Sequence, residues 1–281
     1  TPALGMYVDA LVSAGLKPET FLDVPGFAEQ LSAAGVPSYV FKGRELVETA
    51  LSKMHGRGVT HSEGVVSAVD MLVRMRQVLE ETAGQRLFVS AYWPSVDSLM
   101  HLRGWQHPSV AAETGALLAA VQAELLDALS PAARANTVFC LVADHGQVDS
   151  PAAQYVQLRD HPELERLLLL RPAGEARVPY FYARQGCQAA LLDYLQTHLG
   201  HALVALPAET AVGLGLLGPE PHSPSARERL GDVVGIMRDG YAFMTEAEMS
   251  YADRMRSRHG GLHPLEMRVP WLALRLDDSY G

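Results

Sequence analysis

The chain has 281 residues, 48% hydrophobic and 20% charged, a composition typical of a soluble globular protein with one large domain or a core and a smaller lobe. A net charge of −9 and the lack of any Lys/Arg run exclude the backbone of a nucleic-acid polymer as a partner. Two cysteines, Cys140 and Cys187, exclude a disulfide framework and a Cys-rich zinc site, and no apolar run reaches transmembrane length. We therefore expect no membrane partner. No signal peptide is visible, a cytoplasmic location is favoured, and the oligomeric state is left open.

The first half of the chain alternates between helical and strand patterns. The expected elements are a helix over residues 23–34, a strand over 36–41, a helix over 62–82 capped by Ser62, a strand over 87–92 and a helix over 109–129. A loop after Trp93-Pro94 is expected to carry Asp97 and His101. The apolar run of residues 137–143 predicts a strand buried on both faces, with Cys140 as a small core residue. This alternation predicts an α/β fold with a mostly parallel sheet flanked by helices.

The composition changes after residue 150. The expected elements there are a strand over 178–183, a helix over 188–199, a Gly/Pro-rich stretch over 213–224, a hairpin over 233–244 around Asp239-Gly240 and a closing strand over 269–276. We interpret residues 161–230 as a smaller lobe. It is inserted into a core formed by residues 1–160 and 231–281.

Carboxylate and imidazole groups recur beside three of the predicted strands. They are Asp97-x-x-x-His101, then Asp144-His145-Gly146, where the glycine permits a turn after the strand, and His259-Gly260-Gly261. Open α/β sheets place their ligands at the carboxyl ends of central strands, so we expect the three motifs to meet at one rim of the sheet. Carboxylate and neutral imidazole suit zinc and related divalent ions. Two Asp and three His could fill most of two adjacent sites, the arrangement that clamps both oxygens of a phosphoryl displacement.

The sequence gives less specific indications for three neighbouring residues. His263 is an alternative third ligand, although a loop role is favoured for it. Tyr92 and Trp93 are candidate substrate-binding residues because their rings could stack on a base or sugar, and packing at the strand end is an equal alternative.

The motifs and their flanking residues resemble the alkaline phosphatase superfamily, and within it the nucleotide pyrophosphatase/type I phosphodiesterase family. The matching stretches are Tyr92-Trp-Pro-Ser-Val-Asp-Ser-Leu-Met-His-Leu-Arg-Gly104, Ala143-Asp-His-Gly146 and His259-Gly-Gly-Leu-His-Pro-Leu-Glu-Met-Arg-Val-Pro270. Leu230-Gly-Asp-Val-Val234 resembles a segment common in bacterial members, and the match runs from near Pro25 to the end of the chain. The resemblance implies an alkaline-phosphatase-like sheet and a small phosphate ester or nucleotide as substrate.

The resemblance also implies a set of metal ligands. Asp97, His101 and His259 would hold one divalent ion, and Asp144 and His145 would contribute to a second. Zinc is the expected metal. In the family the two metals lower the pKa of a Thr or Ser hydroxyl, which attacks phosphorus in line.

Two parts of the family pattern have no match in these 281 residues: an Asp-Gly ligand after a first strand, and the Thr or Ser nucleophile. Asp9 is the only early candidate for the ligand, and Thr1 lies too near the terminus to sit in a nucleophile turn. We expect the nucleophile to lie in a segment missing from this chain. The predicted function is hydrolysis of phosphate esters by a phosphodiesterase or nucleotide pyrophosphatase, with this fragment alone inactive.

Two other functions stay open. One is a phosphomonoesterase or phosphomutase of the same superfamily. The other is a non-catalytic relative that binds a ligand or partner through the lobe. A sulfatase is disfavoured because neither cysteine stands in a Cys-x-Pro-x-Arg context.

Overall fold

The computed structural model describes residues 9–277, so Thr1 lies outside the described residues. The strands are β1 Ser38–Gly43, β2 His61–Val65, β3 Phe88–Tyr92, β4 Val138–Val142, β5 Val148–Asp149, β6 Tyr155–Gln157, β7 Ala173–Glu175, β8 Val178–Phe181, β9 Leu203–Pro207, β10 Val233–Met237, β11 Ala242–Met244, β12 Ser257–Arg258 and β13 Trp271–Arg275. The helices are α1 Asp9–Ser13, α2 Phe27–Ala33, α3 Arg44–Val47, α4 Ala50–His55, α5 Ala68–Glu81, α6 Ser95–Arg103, α7 Pro108–Ala120, α8 Pro131–Arg134, α9 Pro162–Leu167, α10 Gln188–Leu199, α11 Ala208–Gly213, α12 Pro224–Arg229, α13 Glu246–Met249 and α14 Pro264–Met267.

The chain packs as two compact units, and the division between residues 97 and 98 falls inside α6. Within the described residues, unit 1 comprises 98–107 and 143–269, and unit 2 comprises 9–97, 108–142 and 270–277. The segment 161–230 lies wholly in unit 1, together with 143–160 and 231–269. Its separation as an inserted lobe stays a prediction.

Unit 2 is built on a parallel sheet with the strand order β2-β1-β3. Phe41 of the central strand is fully buried, and it belongs to one core cluster with Met71, Leu72 and Met75 of α5. These helix residues recur at the three- and four-residue spacing that faces a sheet. The parallel strands and flanking helices confirm the predicted α/β class.

The predicted start of α5 was wrong. Residues 61–65 pair with β1 as a strand, and the last of them, Val65, is buried in the core of unit 2. The N-cap of α5 is Ser67, not Ser62: its hydroxyl accepts a hydrogen bond from the backbone N–H of Asp70 at 3.1 Å. The apolar spacing that continued the helical pattern back to Val65 is equally compatible with a strand, and pairing with β1 decided between them.

The prediction that residues 137–143 are buried on both faces was also wrong. β4 pairs antiparallel with β13, and alternate residues of such a pair face opposite sides. Phe139 packs against the core of unit 2, whereas Val138 and Val142 are exposed. Cys140 shares their face and is exposed as well, so it is not a core residue. The apolar composition of the strand did not reveal that only one of its faces is covered within the described part of the chain.

An apolar helical stretch follows α6. Helix α7 continues through a π-helical turn, Val121–Leu126, and the stretch Pro108–Leu126 has a mean hydropathy of 1.2 with 6% of it buried. It is long and apolar enough to cross a membrane, by length and composition only. The expectation that no apolar run reaches transmembrane length was therefore wrong by length and composition, whereas the expectation of no membrane partner stays a prediction.

Unit 1 contains an antiparallel sheet with the order β7-β8-β10-β9. Leu191, Leu195 and Leu199 of α10 are buried in its main core cluster. The predicted hairpin over residues 233–244 was wrong, because β10 pairs with β8 and β9, while β11 pairs in parallel with β6. Asp239-Gly240 lies between the two strands as predicted, but β10 and β11 each pair with strands from earlier in the sequence and do not form a hairpin with each other.

Candidate metal centre

Helix α6 carries the first pair of predicted ligands. The expectation of a loop for Asp97 and His101 was wrong, since both lie within Ser95–Arg103. Residues four apart on a helix lie one turn apart on the same face. The Asp-x-x-x-His spacing therefore places the carboxylate and the imidazole side by side by helix geometry alone.

The His101 ring is oriented by a strand far along the chain. Its Nδ1–H donates to the backbone carbonyl of Ser257 at 2.8 Å, which makes Nε2 the nitrogen suited to a metal. The backbone N–H of Arg256 donates to the carbonyl of His101 at 2.6 Å. The hydroxyl of Ser257, fully buried, lies 2.6 Å from both the Met100 carbonyl and the Gln147 side-chain oxygen. These contacts fix the C-terminal half of α6 against β12.

Asp97, His101 and His259 form a compact group. Each offers one potential ligand atom, these atoms lie within 4.8 Å of one another, and each residue is half-buried. The ring centroids of His101 and His259 are 5.1 Å apart. One carboxylate and two imidazoles are the donor set of a tetrahedral divalent site with a position open to water or substrate, so the residues present fit zinc.

The Asp144-His145 pair lies beside this group. The His145 ring stacks on the His259 ring, with a centroid distance of 3.6 Å and an interplanar angle of 14°. His145 Nδ1–H donates to the Gly146 carbonyl at 3.1 Å, and His145 Nε2 lies 3.5 Å from Asp144 Oδ2. Within the described part of the chain, the compact ligand group does not include these two residues. A second metal site on them stays a prediction.

Gly146 is required by close packing and not by its backbone angles. An added Cβ would lie 2.0 Å from the carbonyl oxygen of Leu265. The Gly146 backbone N–H donates to the carbonyl of Glu266 at 2.8 Å. The turn after β4 is thus held against α14.

Glu175, at the end of β7, is a nearby carboxylate that the sequence interpretation missed. Its side chain reaches solvent, yet protein atoms surround most of it; this desolvation, followed by the negative charge of Glu248, raises the pKa of Glu175. The charges of His101 and Arg258 act in the opposite direction. A Cβ at Gly260, where φ is +102°, would come 3.1 Å from the Cγ of Glu175. The only sequence signal for Glu175 was the Gly-Glu-Ala-Arg stretch over residues 174–177, and this pattern is equally typical of a turn.

The two aromatic candidates have different surroundings. Trp93 is half-buried and packs against the core of unit 2, as expected for the packing alternative. Tyr92, at the end of β3, is 44% exposed. Stacking of either ring on a substrate stays a prediction.

Two other histidine and aspartate candidates have structural contacts. His263 Nδ1 accepts a hydrogen bond from the Leu265 backbone N–H at 3.2 Å, so its ring caps α14. The Oδ1 atom of Asp9 accepts from the backbone N–H of Ala50 at 2.6 Å, at the start of α4. Both contacts satisfy helix N-termini.

Comparison with known structures shows a shared fold at low sequence identity. Murine ectonucleotide pyrophosphatase/phosphodiesterase 5, as an inactive variant with AMP, matches with a TM-score of 0.60 and 15% identity over 88% of this chain and 62% of that one. The human protein gives 0.58 and 15% identity over 92% and 65%. Phosphonoacetate hydrolase from Sinorhizobium meliloti 1021, with phosphonoformate, gives 0.60 and 17% identity over 93% and 71%. The chain thus spans less than two thirds of the mammalian chains.

No curated protein matches the sequence closely enough to count as a relative. The family model for type I phosphodiesterase/nucleotide pyrophosphatase, in contrast, matches residues 34–262. That range is most of the chain and includes α6, the Asp144-His145-Gly146 turn and His259. The chain therefore belongs to the type I phosphodiesterase/nucleotide pyrophosphatase family of the alkaline phosphatase superfamily, a family of phosphoester hydrolases.

Proposed function

We propose that this chain forms most of the catalytic domain of a metal-dependent phosphodiesterase or nucleotide pyrophosphatase. The domain would bind two divalent ions, and zinc is the expected metal. The group of Asp97, His101 and His259 is the observation that carries the proposal. Its donor set suits zinc, and the orientation of the His101 ring by the Ser257 carbonyl is the kind of outer contact that metal-binding histidines use.

The five candidate ligands would be shared between two metal sites. Asp97, His101 and His259 would hold one ion, and His145 with Asp144 would contribute to the second from the side of the stacked rings. Bound divalent ions supply charge that stabilises the phosphoryl oxygens and lowers the pKa of an attacking hydroxyl. The protein's part is to hold its ligands in place and to orient the ester for in-line attack.

The attacking Thr or Ser would come from a segment outside these 281 residues. Within the described residues β3 pairs only with β1, and β4 pairs only with β13, so each strand has one edge without a partner strand. Apolar side chains on both strands are exposed, among them Phe88 and Val142. Central strands of an α/β sheet pair on both edges and are covered on both faces. These edges support the proposal that a further strand, with the family's Asp-Gly ligand, completes the sheet.

The proposed substrate is a small phosphate ester or nucleotide. The murine protein of similar fold was solved with AMP and the bacterial hydrolase of similar fold with phosphonoformate, both small molecules with a phosphorus oxyanion. The net charge of −9 gives no support to a polymeric nucleic acid.

Metal binding by this chain is the first test. Zinc titration followed by calorimetry should show a site in the wild-type chain that is lost in His259→Ala. His222→Ala is the matched control, because this half-buried ring contacts the Gly218 carbonyl and is not one of the predicted ligands. Equal zinc binding by wild type and His259→Ala would contradict the assignment.

Activity is tested in the natural full-length protein, because the proposed nucleophile would lie outside these 281 residues. Bis-nitrophenyl phosphate should be hydrolysed faster than the mono-nitrophenyl ester, and Asp144→Ala should abolish turnover. A preference for the mono-ester would instead identify a phosphomonoesterase. A natural protein that binds zinc in this site but hydrolyses neither ester would be a non-catalytic relative, the alternative that the unmatched nucleophile leaves open.

A further inference from the structure

Glu266, on α14, forms an ion pair with Arg177, and both side chains are completely buried. Arg177 Nη2 lies 2.8 Å from Glu266 Oε2, and Arg177 Nε lies 3.2 Å from Glu266 Oε1. The relative exposures of the two side chains are 0% and 1%. The contact is therefore bidentate and dry, the geometry in which an Arg–carboxylate pair is most rigid.

The same carboxylate holds the loop that follows His259. The backbone N–H of Gly261 donates to Glu266 Oε1 at 2.9 Å, and the backbone N–H of His263 donates to Oε2 at 3.2 Å. Each carboxylate oxygen thus accepts one bond from Arg177 and one from the loop. Residues 259–263 are fixed to the guanidinium through one side chain.

Arg177 is itself anchored away from the loop. Its Nη1 donates to the carbonyl of Arg238 at 3.3 Å and to the carbonyl of Tyr241, both in the segment between β10 and β11. Arg177 lies in the two-residue turn between β7 and β8. The guanidinium therefore connects the antiparallel sheet of unit 1 to the loop of His259.

Glu266 also contacts the other predicted metal motif in unit 1. Its backbone carbonyl accepts the Gly146 N–H at 2.8 Å, directly after His145. One residue thus contacts both the turn that carries His145 and the loop that carries His259. The stacking of these two rings at 3.6 Å agrees with a fixed separation between their backbones.

We propose that Arg177 and Glu266 are positioning residues that fix the His259 loop, and with it the His259 imidazole, in the geometry needed to bind metal; the proposal rests on the metal centre proposed above. A buried ion pair adds little stability relative to an apolar pair of similar volume. Its effect is therefore expected in the geometry of the loop more than in the stability of the fold. Outer contacts of this kind change metal affinity by about ten- to hundredfold.

The test compares four variants of the full chain. The double variant Arg177→Met/Glu266→Leu replaces the ion pair by an apolar pair, and Glu266→Gln keeps one oxygen that can accept a loop N–H. Leu195→Ala, in the fully buried core of α10, is a destabilised control that leaves the loop contacts intact. His259→Ala defines the loss of the metal ligand itself.

Two readouts are required: zinc affinity by competition with a chromophoric chelator, and amide hydrogen exchange in the peptide covering residues 257–267. We expect the double variant to lose about ten- to hundredfold in zinc affinity and its loop amides to exchange faster, with a smaller change in Glu266→Gln. Leu195→Ala should show neither change in the loop nor a loss of zinc affinity, despite lower stability.

The outcomes separate the two proposals. Unchanged loop exchange in both Glu266 variants overturns the positioning role, whether or not metal binds. Faster exchange with unchanged zinc affinity also overturns it, because the loop would then be irrelevant to the ligand. If His259→Ala binds zinc as tightly as wild type, the proposed metal centre fails, and the exchange data still decide whether the pair fixes the loop.

Discussion

Replacing Gly146 by alanine should destabilise unit 1 and disturb the turn that carries His145. The new Cβ would lie 2.0 Å from the carbonyl oxygen of Leu265, whereas non-bonded heavy atoms settle at about 3.5 Å. The turn must therefore retreat from α14 by more than an ångström. The hydrogen bond from the Gly146 N–H to the Glu266 carbonyl, now 2.8 Å long, would be broken by that movement.

The expected loss has two parts. Overpacking of a filled site costs about 1–3 kcal/mol. The lost hydrogen bond adds about 1 kcal/mol. Together they predict that Gly146→Ala lowers the free energy of unfolding by about 2–4 kcal/mol.

Gly213→Ala is the matched control in the same unit. This glycine ends α11, and a Cβ there would meet nothing within 4 Å. Its substitution should be neutral or stabilise by up to about 1 kcal/mol. Urea unfolding followed by far-UV circular dichroism measures both variants. A Gly146→Ala variant as stable as wild type would refute the argument from close packing.

Three further results are expected. Ser67→Ala should cost about 1 kcal/mol in urea unfolding, because it removes the side-chain cap that accepts from the Asp70 N–H. Zinc at a hundredfold excess over its Kd should raise the free energy of unfolding by about 2.7 kcal/mol in wild type and not in His259→Ala. The hydrogen bonds from Arg275 lower the pKa of Asp277 from 3.8 to about 2, so its contribution to stability is complete above pH 3.8 and is lost as the pH falls toward 2. Asp277→Asn should therefore reduce the loss of unfolding free energy between pH 3.8 and about 2.

Each of these results has an outcome that contradicts it. Ser62→Ala, on the exposed part of β2, should change stability by less than about 0.5 kcal/mol, and an equal effect at both serines would contradict the assigned cap. Stabilisation of His259→Ala by zinc would place the metal elsewhere. An unchanged loss of unfolding free energy at acid pH in Asp277→Asn would show that the ion pair of Asp277 with Arg275 does not form in solution.

The sequence by itself was sufficient for the α/β class, and it supplied the candidate metal ligands, whose role stays a prediction. β1 and β3 were predicted within two residues at each end, because both stretches are short, rich in β-branched and aromatic residues, and preceded by a glycine. The four-residue spacing of Asp97 and His101 places both side chains on one face of a helix, although the segment was expected to be a loop. The ability of carboxylate and imidazole groups to bind divalent ions is a chemical property of the residues and needs no fold.

Only the tertiary structure decided which residues surround these candidate ligands. Arg177 and Glu266 are 89 residues apart in sequence, and nothing in either local stretch indicates the other. Cys140 lies in an apolar strand, but its exposure depends on whether another element covers that face. The local sequence sets turn, helix and strand preferences, whereas burial and long-range contacts depend on which elements pack together, and that choice is made by the whole chain.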